Sequence, residues 1–151
     1  MGYRRIFIIR KDLSLSSGKL AAMVGHSAES YWINMLKEKV VGEVLGENIY
    51  RTECIDIDKG IYEHYLDGAI VKTICQAKNL NQLMKAKTLA EEMGMIEGKD
   101  FFIIADKCLT ELEPEYIDEN GDGRTVVGIA FKPLPDEIAH KISKKYHLYM
   151  D

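Results

Sequence analysis

Residues 16–30, SSGKLAAMVGHSAES, set a lysine one turn into a helical pattern, follow it with very small residues, and place a histidine seven positions on. The first turn of a helix is a poor place for a cation, because the macrodipole disfavours it there by roughly 0.3–1 kcal/mol. An anion close to Lys19 would offset that cost. Arg10 and Lys11, at the end of the preceding apolar run, bring two more cations to the same strand end. A helix N-terminus already favours anions through its free N–H groups, so the cluster suits a phosphate or the oxyanion of an acyl-transfer intermediate.

Three familiar site chemistries are excluded by spacing. A phosphate-cradling P-loop needs a glycine five residues before the Gly-Lys pair and a Ser or Thr after it. Here those positions are Leu13 and Leu20. A dinucleotide fingerprint needs three glycines, and Gly18 with Gly25 does not supply it. DENGDG, residues 118–123, imitates the start of a calcium loop, but the acid required at its twelfth position falls on Ile129. We read it as a solvated turn.

The elements that must position these residues follow from periodicity. RRIFIIR (4–10) is a buried central strand, and a long helix runs from a cap at Ser16 or Ser17 to about Val40. GAIVKTICQA (68–77) is a second strand and NLNQLMKAKTLAEEMG (79–94) a second helix, capped by Asn79 and stopped by Gly94. DFFIIAD (100–106) and TVVGIAF (125–131) are the third and fourth strands, and a last helix starts at Pro135 with Asp136 and Glu137 in its first turn. The order implies one α/β domain over residues 1–151, with a central four-stranded mixed sheet and helices packed on both faces. Residues 41–67 are mixed, with a possible short strand in YRTECIDI. On the first helix, Lys19, Met23, His26 and Ser30 share a stripe, while Ala21, Ala22, Gly25 and Ala28 form a zone that we expect to pack closely on the sheet.

Composition bounds the setting. With 151 residues and 46% apolar content, the chain can build one sizeable core. It contains no apolar run of membrane-spanning length, so a cytoplasmic protein without a membrane partner is expected. Cys54, Cys75 and Cys108 lack metal-type spacing and read as reduced thiols. The net charge is −4, yet residues 1–40 hold seven Lys or Arg against three acids, so a polyanion has a local basic end to meet.

Lys-Asp-Leu followed by Gly-Lys-Leu-Ala-Ala and a histidine seven residues after the lysine resembles the first strand and helix of the archaeal and eukaryotic type of peptidyl-tRNA hydrolase. FFIIADKCLTE and GRTVVGIAF are similar to its second block, an aspartate closing an apolar strand, a threonine four residues on, and a threonine opening the next strand. LPDEIAHKISKKYHLY looks like its closing helix. The resemblance covers about 4–35 and 68–149, leaving 36–67 as an expected insertion of a bacterial or phage-like member. It implies hydrolysis of the ester between a peptide and tRNA, a homodimer, and neither metal nor cofactor. Lys19, Asp106, Thr110 and Thr125 match the positions implicated in catalysis, and Arg10, Lys11, His26 and Glu111 are candidate substrate contacts. Lys19 is open between stabilising the oxyanion and holding the terminal phosphate. His26 reads first as a packing histidine and second as a substrate contact. Tyr31 and Trp32 read as core or interface aromatics.

The sequence departs from the family at three places. Met23 stands where most members have glutamine, Asp106-Lys107-Cys108 replaces Asp-Ala-Gly, and the loop 111–122 carries six acids without a base. The loop is expected to face away from the nucleic acid or to fence one side of the cleft. Met23 and the acids also leave room for a non-catalytic relative that binds RNA or a protein partner.

Overall fold

Residues 6–9 are wholly buried, as expected of a strand that is apolar on both faces. In this computed structural model, which describes residues 2–38, 40–44, 48–52 and 55–151, that segment lies in β1 (Tyr3–Arg10), at the centre of a mixed sheet. Around it run β4 (Val71–Ala77), parallel, and β7 (Gly123–Phe131), antiparallel; β5 (Phe101–Asp106) pairs antiparallel with β7 on the far side. These four are the expected long strands. Three two-residue strands bring the sheet to seven: β6 (Tyr116–Ile117) on β7, β8 (Leu134–Pro135) on β1, and β9 (His147–Leu148) on β4. They are too short for a period-two pattern, which is why four strands were expected. A separate hairpin pairs β2 (Val40–Val44) with β3 (Tyr50–Thr52). Of the expected strand in YRTECIDI only Tyr50–Thr52 is found; Glu53 and Cys54 lie outside the described residues.

Alternation along β1 divides the core. Ile6 and Ile8 face one layer with Leu83, Ala86, Ala90, Ala139 and Ile142, from α3 (Leu80–Glu92) and α4 (Asp136–Ser143). Phe7 and Ile9 face the other, under α1 (Ser17–Glu38), with Met23, Ile104, Val127 and Ala130. Asn79 caps α3 by accepting from Gln82 N–H, and Gly94 takes the left-handed φ of +83° that ends it. Pro135 sits at the cap of α4 rather than inside it. The short helix α2 (Lys59–Ile61) continues as a π-helical stretch, Tyr62–Ala69, where Tyr65 stacks on Trp32 of α1. Tyr31 meets the ring of Phe102 edge-on, so both aromatics of α1 serve packing.

The face of α1 that packs on the sheet differs from the expected one. Leu20, Met23, Val24, Ser27 and Ala28 lie inward, whereas Ala21 and Ala22 are exposed and a Cβ at Gly25 would meet nothing within 4 Å. Of the small-residue zone only Ala28 meets the sheet layer, as expected, while Ala21 and Ala22 face solvent; Lys19 is half-buried and His26 exposed beside them. Where β1 and β7 do approach closely, the glycine is Gly128, whose added Cβ would stand 2.6 Å from Ile8 O and 2.9 Å from Ile9 Cδ1. The two glycines therefore respond oppositely to alanine. Gly128→Ala should lose about 1–3 kcal/mol through overpacking against backbone, and Gly25→Ala should gain about 0.5–1 kcal/mol from helix propensity. Chemical denaturation of the two variants checks both signs.

Candidate active site

The carboxyl ends of β1 and β5, the start of β7 and the N-terminus of α1 meet at one edge of the sheet. Helix α1 starts there because Ser16 Oγ accepts from Lys19 N–H at 3.2 Å, the N-cap bond. Glu111 completes the start, accepting from Ser16 N–H (2.9 Å) and Ser16 Oγ (2.6 Å). These bonds hold the Glu111 carboxyl below its ordinary value against an opposing desolvation, with the Lys19 charge adding to the effect and that of Asp106 opposing it. The anion that a helix N-terminus favours is thus Glu111, which leaves Lys19 to find another partner.

That partner is Asp106, at the last position of β5. Lys19 Nζ donates to Asp106 Oδ1 at 2.8 Å and to Thr110 Oγ1 at 3.2 Å. Both members of the ion pair are largely hidden, with side-chain exposures of 12% and 10%. The other carboxylate oxygen, Asp106 Oδ2, accepts from Cys108 N–H at 3.0 Å. Desolvation would raise the Asp106 carboxyl, but the hydrogen bonds from Lys19 and Cys108 and the charges of Lys19 and His26 outweigh it and hold the group below 3.8. Asp106 is therefore an anion at neutral pH.

A bulge brings Thr125 to the same face. Opposite β5 the register slips between Ile104 and Ala105, whose partners are Gly128 and Val126. Val127 is the extra residue. Ile129 and Phe131 face the α3 layer, yet Val127 faces α1, so the alternation reverses there and Thr125 falls opposite Asp106. Thr125 is 1% exposed; its hydroxyl donates to Glu113 O at 2.5 Å and lies 3.3 Å from Cys108 Sγ.

The remaining candidates separate. His26 is exposed on the α1 edge, so the packing role expected first does not hold. Arg10 is 4% exposed, bonded to Asp12, to Glu115 at 2.7 Å and to Val126 O at 2.9 Å. Lys11 donates to Met150 O and lies 4.5 Å above the Tyr149 ring. Neither of these two cations joins Lys19. Met23 is 1% exposed and packs in the core beneath the site. In the acidic loop, Glu111 holds α1, Glu115 holds Arg10, and Asp118 closes its turn by accepting from Asn120 N, Asp122 N and Arg124 Nε, as expected of a turn. The base that balances it, Arg124, lies just past the segment counted from sequence.

Sequence reasoning missed the backbone of Cys108, which carries φ of +59°. The family's glycine at this position was the available signal, because left-handed backbone favours glycine by about 1–2 kcal/mol. Cys75 and Cys108 are free thiols, and Cys54 lies outside the described residues. Among the described residues, no three His, Cys, Asp or Glu side chains are grouped to hold a metal ion, and no helix is long and apolar enough to cross a membrane.

A lysine–carboxylate pair at the edge of a mixed α/β sheet, with hydroxyls beside it, has the equipment for hydrolysis at a carbonyl carbon. The profile of the peptidyl-tRNA hydrolase PTH2 family matches residues 3–149, and the chain belongs to that family. Among its relatives, the peptidyl-tRNA hydrolase of Thermoplasma volcanium is 28% identical, over 98% of this chain and 99% of its own length. The Thermoplasma acidophilum protein of the same name is 25% identical over 96% and 97%, and that of Thermococcus onnurineus 26% over 93% and 92%. These archaeal matches, and a family match running through 36–67, give no support to a bacterial or phage-like member with an insertion there.

The ion pair makes a titration prediction. Asp106 has a depressed value, so its contribution to stability is complete above 3.8 and is lost as pH falls through the folded value. Lys19→Met removes the strongest opposing bond and leaves desolvation, so the Asp106 carboxyl should rise above its wild-type value, which a carbon-13 NMR titration of Asp106 Cγ reads directly.

Proposed function

We propose that this protein hydrolyses the ester joining a peptide, or an N-blocked amino acid, to the 3′ end of tRNA. The observation that carries the reading is the contact of Lys19 Nζ with Asp106 Oδ1 at 2.8 Å and Thr110 Oγ1 at 3.2 Å, in a chain of this family. Asp106 holds a water by its free lone pairs and aims it at the ester carbonyl. The water attacks, Lys19 stabilises the oxyanion, and the intermediate collapses to the peptide acid and the ribose hydroxyl, the water supplying both the new acyl oxygen and the leaving group's proton. The oxyanion role suits Lys19 better than a phosphate role, because its ammonium already lies within bonding distance of the group that holds the water. A carboxylate held below its ordinary value is a weak proton acceptor, so the rate depends more on orientation and charge stabilisation than on base strength.

The other residues take supporting roles. Thr110 orients Lys19 or the water, and Thr125 pins the loop at Glu113 beside Cys108. Glu111 and Arg10 hold the loops that frame the cleft, Lys11 lies at its rim, and His26 contacts substrate along α1. The same proposal includes a cytoplasmic homodimer, for which exposed Ile33 and Leu36 on α1 offer apolar surface. The non-catalytic alternative finds little support, since Met23 belongs to the core and the acids Glu111, Glu115 and Asp118 are engaged within the protein.

Release of N-acetylated amino acid from tRNA tests the reading. Lys19→Ala and Asp106→Asn should each lower kcat by about 10²- to 10³-fold, and Thr110→Val by roughly tenfold through one lost hydrogen bond. Wild-type turnover that Lys19→Ala and Asp106→Asn leave unchanged rules out this site.

A further inference from the structure

The segment between Asp106 and Glu111 is fastened at both ends to the reacting groups. Cys108 N–H is bonded to Asp106, Thr110 Oγ1 to Lys19, and Glu111 to the start of α1. Between these anchors stands Leu109, 83% exposed, the most exposed large hydrophobic among the described residues. An exposed leucine is ordinary on a protein surface. This one stands between two residues anchored at the lysine–carboxylate pair, Cys108 on Asp106 and Thr110 on Lys19.

Charge decides which part of the substrate it meets. Beyond Leu109 the chain continues into residues 111–122, whose six carboxylates comprise three bonded within the protein, Glu111, Glu115 and Asp118, and three more that are exposed, Glu113, Glu119 and Asp122. On the other side of Lys19, residues 17–28 of α1 carry no carboxylate, and His26 is exposed there. A phosphate backbone is repelled by the first surface and tolerated by the second, within a Debye length of about 8 Å. With the ester carbonyl at Lys19, the nucleotides then extend over α1 and the acyl group extends over residues 107–113.

Resting on the function proposed above, we propose that Leu109 is a specificity-determining residue, packing against the side chain of the amino acid esterified to tRNA and favouring large apolar ones. The adenosine of the tRNA end, common to every substrate, lies away from it. Because Leu109 is exposed and covers none of the core, its replacement leaves the fold and the Lys19–Asp106 pair in place.

The test measures kcat/KM for N-acetyl-leucyl and N-acetyl-glycyl esters carried on one tRNA body. Leu109→Ala should lower the leucyl value by about 3- to 10-fold and leave the glycyl value within roughly twofold, while Leu109→Met restores the leucyl value. An equal fall for both esters would place Leu109 on the shared adenosine and overturn the proposal, as would no change in either. Absence of wild-type turnover on both esters would instead overturn the hydrolase reading itself, an outcome distinct from these.

Discussion

Two electrostatic needs arise where α1 begins, and one pair of contacts meets both. The helix N-terminus favours an anion, and the lysine in its first turn needs one more strongly because the helix opposes its charge. Glu111 serves the first need and Asp106 the second. Asp106 ends β5 and Glu111 lies in the segment that follows it, so the two bonds draw that strand end and the start of α1 together across the sheet edge. Had Glu111 and Asp106 exchanged partners, Lys19 would sit at the solvent rim. As built, its ammonium is nearly enclosed, where a charge interaction is worth more than it is in water.

The sheet contributes a second constraint. Since β7 is antiparallel to both β1 and β5, those two strands run the same way and end together. Ligands of open α/β sheets gather in the crevice beyond such carboxyl ends. The bulge at Val127 adds the last adjustment, because an unbroken β7 would turn Thr125 toward α3, away from Asp106. Gly128 lies directly beside that bulge and allows β7 to lie tightly against β1. One short stretch of β7 therefore governs both the packing of the central strands and the arrangement of the site.

The long elements were legible because each carries its own period or cap: unbroken apolar runs in β1 and β5, Asn79 and Gly94 around α3. Lys19 stood out as a cation where the helix disfavours one. What periodicity could not tell was which side of α1 faces the sheet. Alanine and glycine satisfy a close contact and an exposed surface equally well, and only the larger Leu20, Met23 and Val24 decide the matter by needing burial. Arg10 was legible as a cation near the site but not as one already bonded to Glu115, since that partner arrives from a loop 105 residues away. The bulge leaves no mark in a window as short as GRTVVGIAF, and the left-handed backbone of Cys108 is masked by a residue type that does not ordinarily adopt it.

The basic N-terminal segment shows how a charge census differs from a binding surface. Of its seven cations, Lys39 lies outside the described residues and Lys37 is exposed in the last turn of α1. Arg4 is paired with Asp136. Arg5 is wholly buried, its guanidinium donating to Phe131 O, Ala28 O and Ser30 Oγ and stacked 4.7 Å from the Phe7 ring; desolvation lowers it to about 10 despite the opposing influence of Tyr65 and Tyr31. Arg10, Lys11 and Lys19 are engaged as described. Most of the positive charge that the sequence concentrates here is spent on holding β1 to its neighbours and α1 to β5.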